Sequence, residues 1–212
     1  MIDCNCEPTS VVGGGPTDEG ANSARWADFL QRAFYNGWKS IHGLKHQTVD
    51  LLHGFTIDQK GPTSLRRNDT TVLRESKITQ RLKDVQEGEN EEDKVMIFGD
   101  SAYTQQEYLR SYFNIKHDDP ALSEHFARWN GAMKSVRVSI EWNYGYTATL
   151  FQYLTKKNKL KVMKGKSVTK VYTVCTLLRN LHVGLYGCQS SNYFDLIIPQ
   201  NFIENYLNQT DF

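Results

Sequence analysis

The chain has 212 residues, 39% of them hydrophobic and 23% charged, with a formal net charge of +1, enough for one domain with a sizeable core. That balance excludes an overall basicity pointing to nucleic acid and leaves only local patches for such contacts. No apolar run reaches the roughly 18 residues that a membrane helix needs. The opening Met-Ile-Asp-Cys lacks a basic n-region and an apolar h-region, so no secretory signal is expected. Cys4, Cys6, Cys175 and Cys188 form no C-x-x-C pair. Free thiols in a reducing compartment are expected, and a zinc site is not.

Met1 to Asp3 reads as the stub of an apolar strand ending in an acid. Pro8 to Gly20, with Gly13-Gly14-Gly15-Pro16 at its tip, reads as a loop. The glycine run lacks the lysine of a P-loop and leads into proline, which argues against nucleotide binding. Ala24 to Phe34 predicts a short helix with Trp26, Phe29, Leu30 and Phe34 on its apolar side. From Trp38 to Ile57 the pattern alternates as in a strand. Ile41, Gly43, Lys45, Gln47 and Val49 share one face, and His42, Leu44, His46 and Thr48 share the other. His53-Gly54 predicts the turn, Phe55 to Asp58 the returning strand, and Gly61 to Ser64 the close of the hairpin. His42, His46 and His53 lack the ligand spacing of a metal site and read as structural or solvent-facing.

Asn68 or Asp69 begins a predicted helix carrying Val72, Leu73, Ile78 and Leu82, and Asp69 is equally well explained as its cap. Gln86 to Asp93 is an acidic linker. Val95 to Phe98 predicts a short buried strand that stops at Gly99. Asp100 follows on its lip, where α/β sheets place ligands; alternatively it caps a helix running from Ser101 past Tyr103, Tyr108, Leu109 and Tyr112. Beyond a polar break at Asn114 to Pro120 comes the longest helical stripe: Leu122, Phe126, Trp129, Met133, Val136, Ile140 and Tyr144. Glu141 lies beside it, with Arg137 four residues earlier, as a boundary ion pair or a functional carboxylate. Lys156 to Lys170 carries seven lysines, a solvated loop or a phosphate-backbone contact. Val168 to Leu185 predicts a helix with Val171, Cys175, Leu178 and Leu181 toward the core. Phe194 to Pro199 and Asn201 to Leu207 end the chain as a short apolar piece and a final turn or helix.

Three acids stand out by placement: Asp3, Asp100 and Glu141. Phosphodiester cleavage uses carboxylates of this kind to hold two Mg²⁺ or Mn²⁺ ions, one activating the attacking oxygen and one stabilising the leaving oxygen.

The segment Phe98-Gly-Asp-Ser-Ala-Tyr103 resembles the GDSAY block of the DDE-superfamily endonucleases of Harbinger (PIF-like) transposons. Arg137-Val-Ser-Ile-Glu141 resembles their R-x-x-x-E helix. The stretch from Tyr35 to Gln47, with Lys45 and Gln47 in register, is similar to their Y-x-G-x-K-x-x-H-x-x-K-x-Q hairpin. Arg67-Asn68-Asp69 through Ser76 resembles a helix start of the family, and Met1 to Cys4 its motif around the first acid.

The resemblance implies an α/β fold with an RNase H-like mixed sheet flanked by helices, as one nuclease domain over 1–212. That domain is expected to be N-terminally incomplete, with an insertion loop at 5–33 and the Lys-rich segment at 156–170. It implies a catalytic triad of Asp3, Asp100 and Glu141, with Asp69 joining them as a metal ligand, and a divalent cation, Mg²⁺ or Mn²⁺, as cofactor. DNA is the implied partner, together with a separate DNA-binding protein, and the nucleus the implied compartment. Lys156, Lys157, Lys159, Lys161, Lys164 and Lys166 are the candidate DNA contacts. The chain departs from the family in showing no helix-turn-helix or zinc-finger spacing. A catalytically inactive, transposase-derived DNA- or protein-binding module is therefore the alternative expectation.

Overall fold

The computed structural model describes residues 1–10, 28–29, 31–38, 40–116, 119–154, 160–161, 168–198 and 201–209, with backbone alone for 2–10, 160–161, 168–169 and 209. Strand β3 (Ile41–Asp50) is its centre, buried from Gly43 to Asp50. β1 (Ile2–Ser10) runs antiparallel along one edge of β3, and β4 (Thr56–Ser64) antiparallel along the other. The two-residue β2 (Tyr35–Asn36) pairs with the start of β3, and β7 (Leu160–Lys161) lies parallel to the end of β1. β5 (Ile97–Phe98) and β6 (Leu109–Arg110) form a second, parallel pair. The chain is thus a mixed α/β protein.

Alternation along β3 divides the core, because successive side chains point to opposite faces. On one face Val49 packs with Leu73, Ile78, Ile97, Tyr103 and Leu109. This side is built by α1 (Asp69–Ser76), α2 (Ile78–Val85) and the β5–β6 pair. On the other face Leu44 packs with Leu154, Tyr172 and Cys175, and His46 stacks on Tyr172 at 4.1 Å. That side belongs to α3 (Pro120–Leu150) and α4 (Val168–Tyr186). The short α5 (Gln189–Tyr193) and α6 (Phe202–Gln209) close the chain over Phe55, whose ring stacks on Phe202. A tight turn joins β3 to β4, and a Cβ at Gly54 (φ 91°) would run into Cys188 Sγ. Only glycine combines that backbone with that closeness.

Several expectations change. β1 continues to Ser10, paired from Ile2↔Val49 to Pro8↔Gly43, so the loop expected over 5–33 starts no earlier than residue 11. Its polar residues hide a strand whose stability comes from pairing with β3, not from apolar alternation. The start is tied down as well: Met1 N donates to Asp50 O at 2.6 Å, and Asp50 N donates back to Met1 O at 2.7 Å. The expected Ala24–Phe34 helix is seen at 28–29 and 31–34, and the rest of it lies outside the described residues. The hairpin's return strand runs to Ser64, past the expected end at Asp58. The helix expected through Leu82 is two helices, broken where Lys77 adopts φ 54°. No helix follows Ser101; a turn leads instead to β6.

The face α4 buries also differs from the expected apolar one. Cys175 is buried, but so are Thr176, Arg179 and Asn180, while Val174, Leu178 and Leu185 are exposed. The polar face is inward because β3 and β4 offer it partners. Arg179 Nη2 donates to Thr56 Oγ1 and lies 3.9 Å from Asp50. Asn180 donates to Thr56 O and accepts from Thr56 N. Thr48 and Thr56 hydroxyls complete the shell of Asp50. Burial nonetheless pushes the Asp50 carboxyl up, against the pull of Arg179.

A buried ion pair broken on one side strands a charge, typically at about 3–5 kcal/mol. Arg179→Leu is therefore expected to lower unfolding free energy by about that much in urea titrations, and the double variant with Asp50→Asn to recover part of it. Burial also lowers the His46 pKa from 6.5 to about 4. The unfolded chain then binds this proton from pH 6.5 downward, and the folded chain only near pH 4. Stability contributed by neutral His46 is accordingly present above pH 6.5 and lost toward pH 4, by about 3 kcal/mol. The raised Asp50 gives a slope of opposite sign at the acid end. The difference between wild type and His46→Gln, measured at stepped pH, isolates the histidine.

Candidate active site

The acid after β5 is held by its own turn. Ser101 N donates to Asp100 Oδ1 at 2.7 Å, and Tyr103 N donates to Asp100 O at 3.0 Å. With no helix behind it, Asp100 is not a cap. β5 itself is fixed by β6, through Ile97 N to Tyr108 O and Gly99 N to Arg110 O, and by Phe98 packed edge-on against Trp129 of α3. The turn ends at Tyr103, which is 2% exposed. Its hydroxyl accepts from Gln47 Nε2 on β3 at 3.1 Å.

The start of α1 leans on the same turn, Thr70 Oγ1 donating to Ala102 O at 3.1 Å. Asn68 is the cap here, accepting from Thr70 N at 2.9 Å. Asp69 is the first helical residue, and its carboxylate takes the ammonium of Lys45, which also donates to Arg67 O. Lys45 is nearly buried in this position. The Lys45 and Gln47 side chains of β3 thus reach the α1 start and the Asp100 turn respectively.

The third acid stands on α3. Glu141 sits beside the wholly buried Ile140 of α3, its side chain 57% exposed and paired with Arg137 at 3.2 Å. Tyr144, one helical turn further on, hydrogen-bonds Thr48 Oγ1 at 2.9 Å. In the register of the sheet, Thr48 stands opposite Asp3 of β1, and Gln47 opposite Cys4. The Gln47–Thr48 step therefore connects three places at once: the turn that carries Asp100, the helix turn next to Glu141, and the strand position of Asp3. Sequence reasoning placed Lys45 and Gln47 in a motif but missed Thr48 and Tyr144. Tyr144, as the last residue of the α3 stripe, was the available signal.

Asp3 is placed by its backbone alone. No described contact joins Asp100 to Glu141, and no three His, Cys, Asp or Glu side chains cluster among the described residues. Oxygen donors such as Asp100 and Glu141 suit a hard divalent cation. Among the described residues each is held by a neighbour through one oxygen, Asp100 by Ser101 and Glu141 by Arg137. Asp69 suits it poorly, because Lys45 already neutralises it. Lys156, Lys157, Lys159, Lys164 and Lys166 lie outside the described residues, and Lys161 is described only as backbone of β7.

A family model described as DDE superfamily endonuclease matches residues 23–180, a span that holds Asp69, Asp100, Glu141 and the whole of β3. No curated protein and no solved structure matches the chain. No helix among the described residues is long and apolar enough to cross a membrane.

The Gln47 bond to Tyr103 is buried on both sides, and losing such a bond costs about 1–3 kcal/mol. Gln47→Met is expected to lower the urea unfolding free energy by that order. Amide hydrogen exchange should quicken first at Gly99 to Tyr103, the segment that the bond anchors.

Proposed function

The chain belongs to the DDE superfamily of endonucleases, and on that premise we propose that it is a divalent-metal-dependent DNA endonuclease of transposase type with an RNase H-like fold. The fold reading is supported by strand directions: antiparallel β1, β3 and β4, then the parallel β5–β6 pair, then the long α3. Asp3, Asp100 and Glu141 are its catalytic carboxylates. The observation that carries this assignment is the two-sided grip of Gln47 and Thr48. It ties the Asp100 turn and the α3 turn after Glu141 to adjacent residues of β3, of which Thr48 pairs with Asp3.

Bound Mg²⁺ or Mn²⁺ would supply an activated water and neutralise charge building on the phosphate. The chain's own residues do the rest. Asp100 and Glu141 present one oxygen each while Ser101 and Arg137 orient the other. Lys45 holds Asp69 as a positioning residue that fixes the α1 start against the Asp100 turn. The Lys156–Lys166 lysines contribute phosphate contacts. The resemblance to Harbinger transposons further supports a DNA-binding partner protein and a nuclear location.

A second reading, a transposase-derived module without cleavage, is favoured by the exposure of Glu141 and its engagement with Arg137. The two part company in a single set of measurements. The nuclease reading expects Mn²⁺ to bind by calorimetry and to raise stability by about 2.7 kcal/mol at a hundredfold excess over Kd. It also expects Asp100→Ala and Glu141→Gln to cut supercoiled plasmid at least about a hundredfold more slowly, while folding normally. Wild-type DNA binding with no metal uptake and no nicking would give the function to the binding module.

A further inference from the structure

A cleft of about 250 Å³ is lined by α1, the start of α2 and Gln106. Thr70, on that lining, is the residue whose hydroxyl donates to Ala102 O, two positions after Asp100. Arg74 and Lys77 line the cleft as well, and no carboxylate does. The acids of this region are already matched one to one: Asp58 with Arg81, Asp69 with Lys45, Glu75 with Arg67 and Glu107 with Lys83. Asp84 takes the side-chain amide of Gln80. Among the described residues, Arg74 and Lys77 are thus the cations of this region left without an ion pair.

Two cations that share one space repel each other, and an anion between them turns repulsion into attraction. The backbone adds to the positive field. α2 starts at Ile78 with no side-chain cap from Lys77, and Thr79 and Gln80 of its first turn line the cleft, so the positive end of its dipole lies there. The hydroxyls of Thr71 and Thr79 and the amide of Gln106 are further donors on the lining. Positive charge ringed by donors suits an anion with several acceptor oxygens, as a phosphate group is. Arg74, Lys77, Gln80 and Gln106 are all exposed, so the cleft is open enough to take a phosphate that belongs to a chain. We propose that Arg74 and Lys77 clamp one backbone phosphate of the DNA strand that runs from this cleft to the Asp100 turn. Arginine would grip it through its planar fork and lysine as a point charge. The inference rests on the reading of Asp100 as a catalytic carboxylate, since that gives the strand its course.

Any surface cation attracts DNA to some degree, so the test compares two variants of equal charge loss. Arg74→Gln with Lys77→Gln empties the clamp. Arg128→Gln with Lys116→Gln removes two exposed cations elsewhere. The probe is a short fluorescent DNA duplex, titrated with the full chain at stepped salt. Each neutralised phosphate contributes about 0.9 to the slope of log affinity against log salt. The clamp variant is expected to lose about one unit of that slope, the control variant to keep the wild-type slope, and all three proteins to unfold alike in urea. No loss in the clamp variant, or an equal loss in the control, overturns the proposal. Inorganic phosphate at constant ionic strength tells a strand from a free ion. If it stabilises wild type and not the clamp variant, while the duplex slope is the same in both, the cleft serves a free phosphate and the DNA assignment falls. Asp100→Ala separates the inference from the reading beneath it. In that background the clamp pair should still cost the unit of slope, while plasmid nicking is lost. If nicking survives, Asp100 is not catalytic and the clamp loses its stated place beside the cut.

Discussion

Everything proposed for this chain depends on one strand being buried on both faces. β3 has neighbours along both edges and helices above and below, so none of its side chains from Gly43 onward faces open solvent. Polar residues in such a strand must find partners inside the protein. Lys45, Gln47, Thr48 and Asp50 do so on alternating sides, with Asp69, Tyr103, Tyr144 and Arg179. Each partner belongs to a different element. The need to satisfy the polar groups of one strand therefore sets where α1, the Asp100 turn, α3 and α4 sit relative to the sheet.

This arrangement separates placing the acids from using them. Lys45, Gln47, Thr48 and Tyr144 are mostly hidden, yet they fix the neighbourhoods of Asp69, Asp100 and Glu141. If the proposed carboxylates share a cation they repel one another until it arrives, and a rigid support would hold them against that repulsion. Asp69 shows the same logic locally. Its charge is matched by an ammonium within the protein, which suits a role in scaffolding the α1 start.

How much of this was legible in the sequence follows the strength of each local signal. The strands at β3 and before Asp100 and the long stripe of α3 could all be read, and in α3 it is burial of one face that imposes the period. The extent of β1 could not, because Asn5, Glu7 and Pro8 carry no apolar alternation and only pairing with β3 reveals them as strand. The face of α4 was read only in part, with Val171 and Cys175 in the core but Leu178 exposed, for a related reason. Periodicity assumes that apolar residues go inward, and here Arg179 and Asn180 go inward to meet Thr56, more than a hundred positions earlier in the chain. The carboxylates themselves were found by motif. The hydroxyl of Thr48, which ties the α3 turn after Glu141 to the sheet, belongs to no motif and was invisible without coordinates.

Arg179 also acts as a gauge during assembly. Its guanidinium has acceptable surroundings only where Asp50 and Thr56 are already side by side, at the two ends of the β3–β4 turn. An α4 that docked one turn out of step would bury the cation with nothing to receive it, an error far more costly than a misplaced leucine. A greasy helix face tolerates sliding; this one has a single seat.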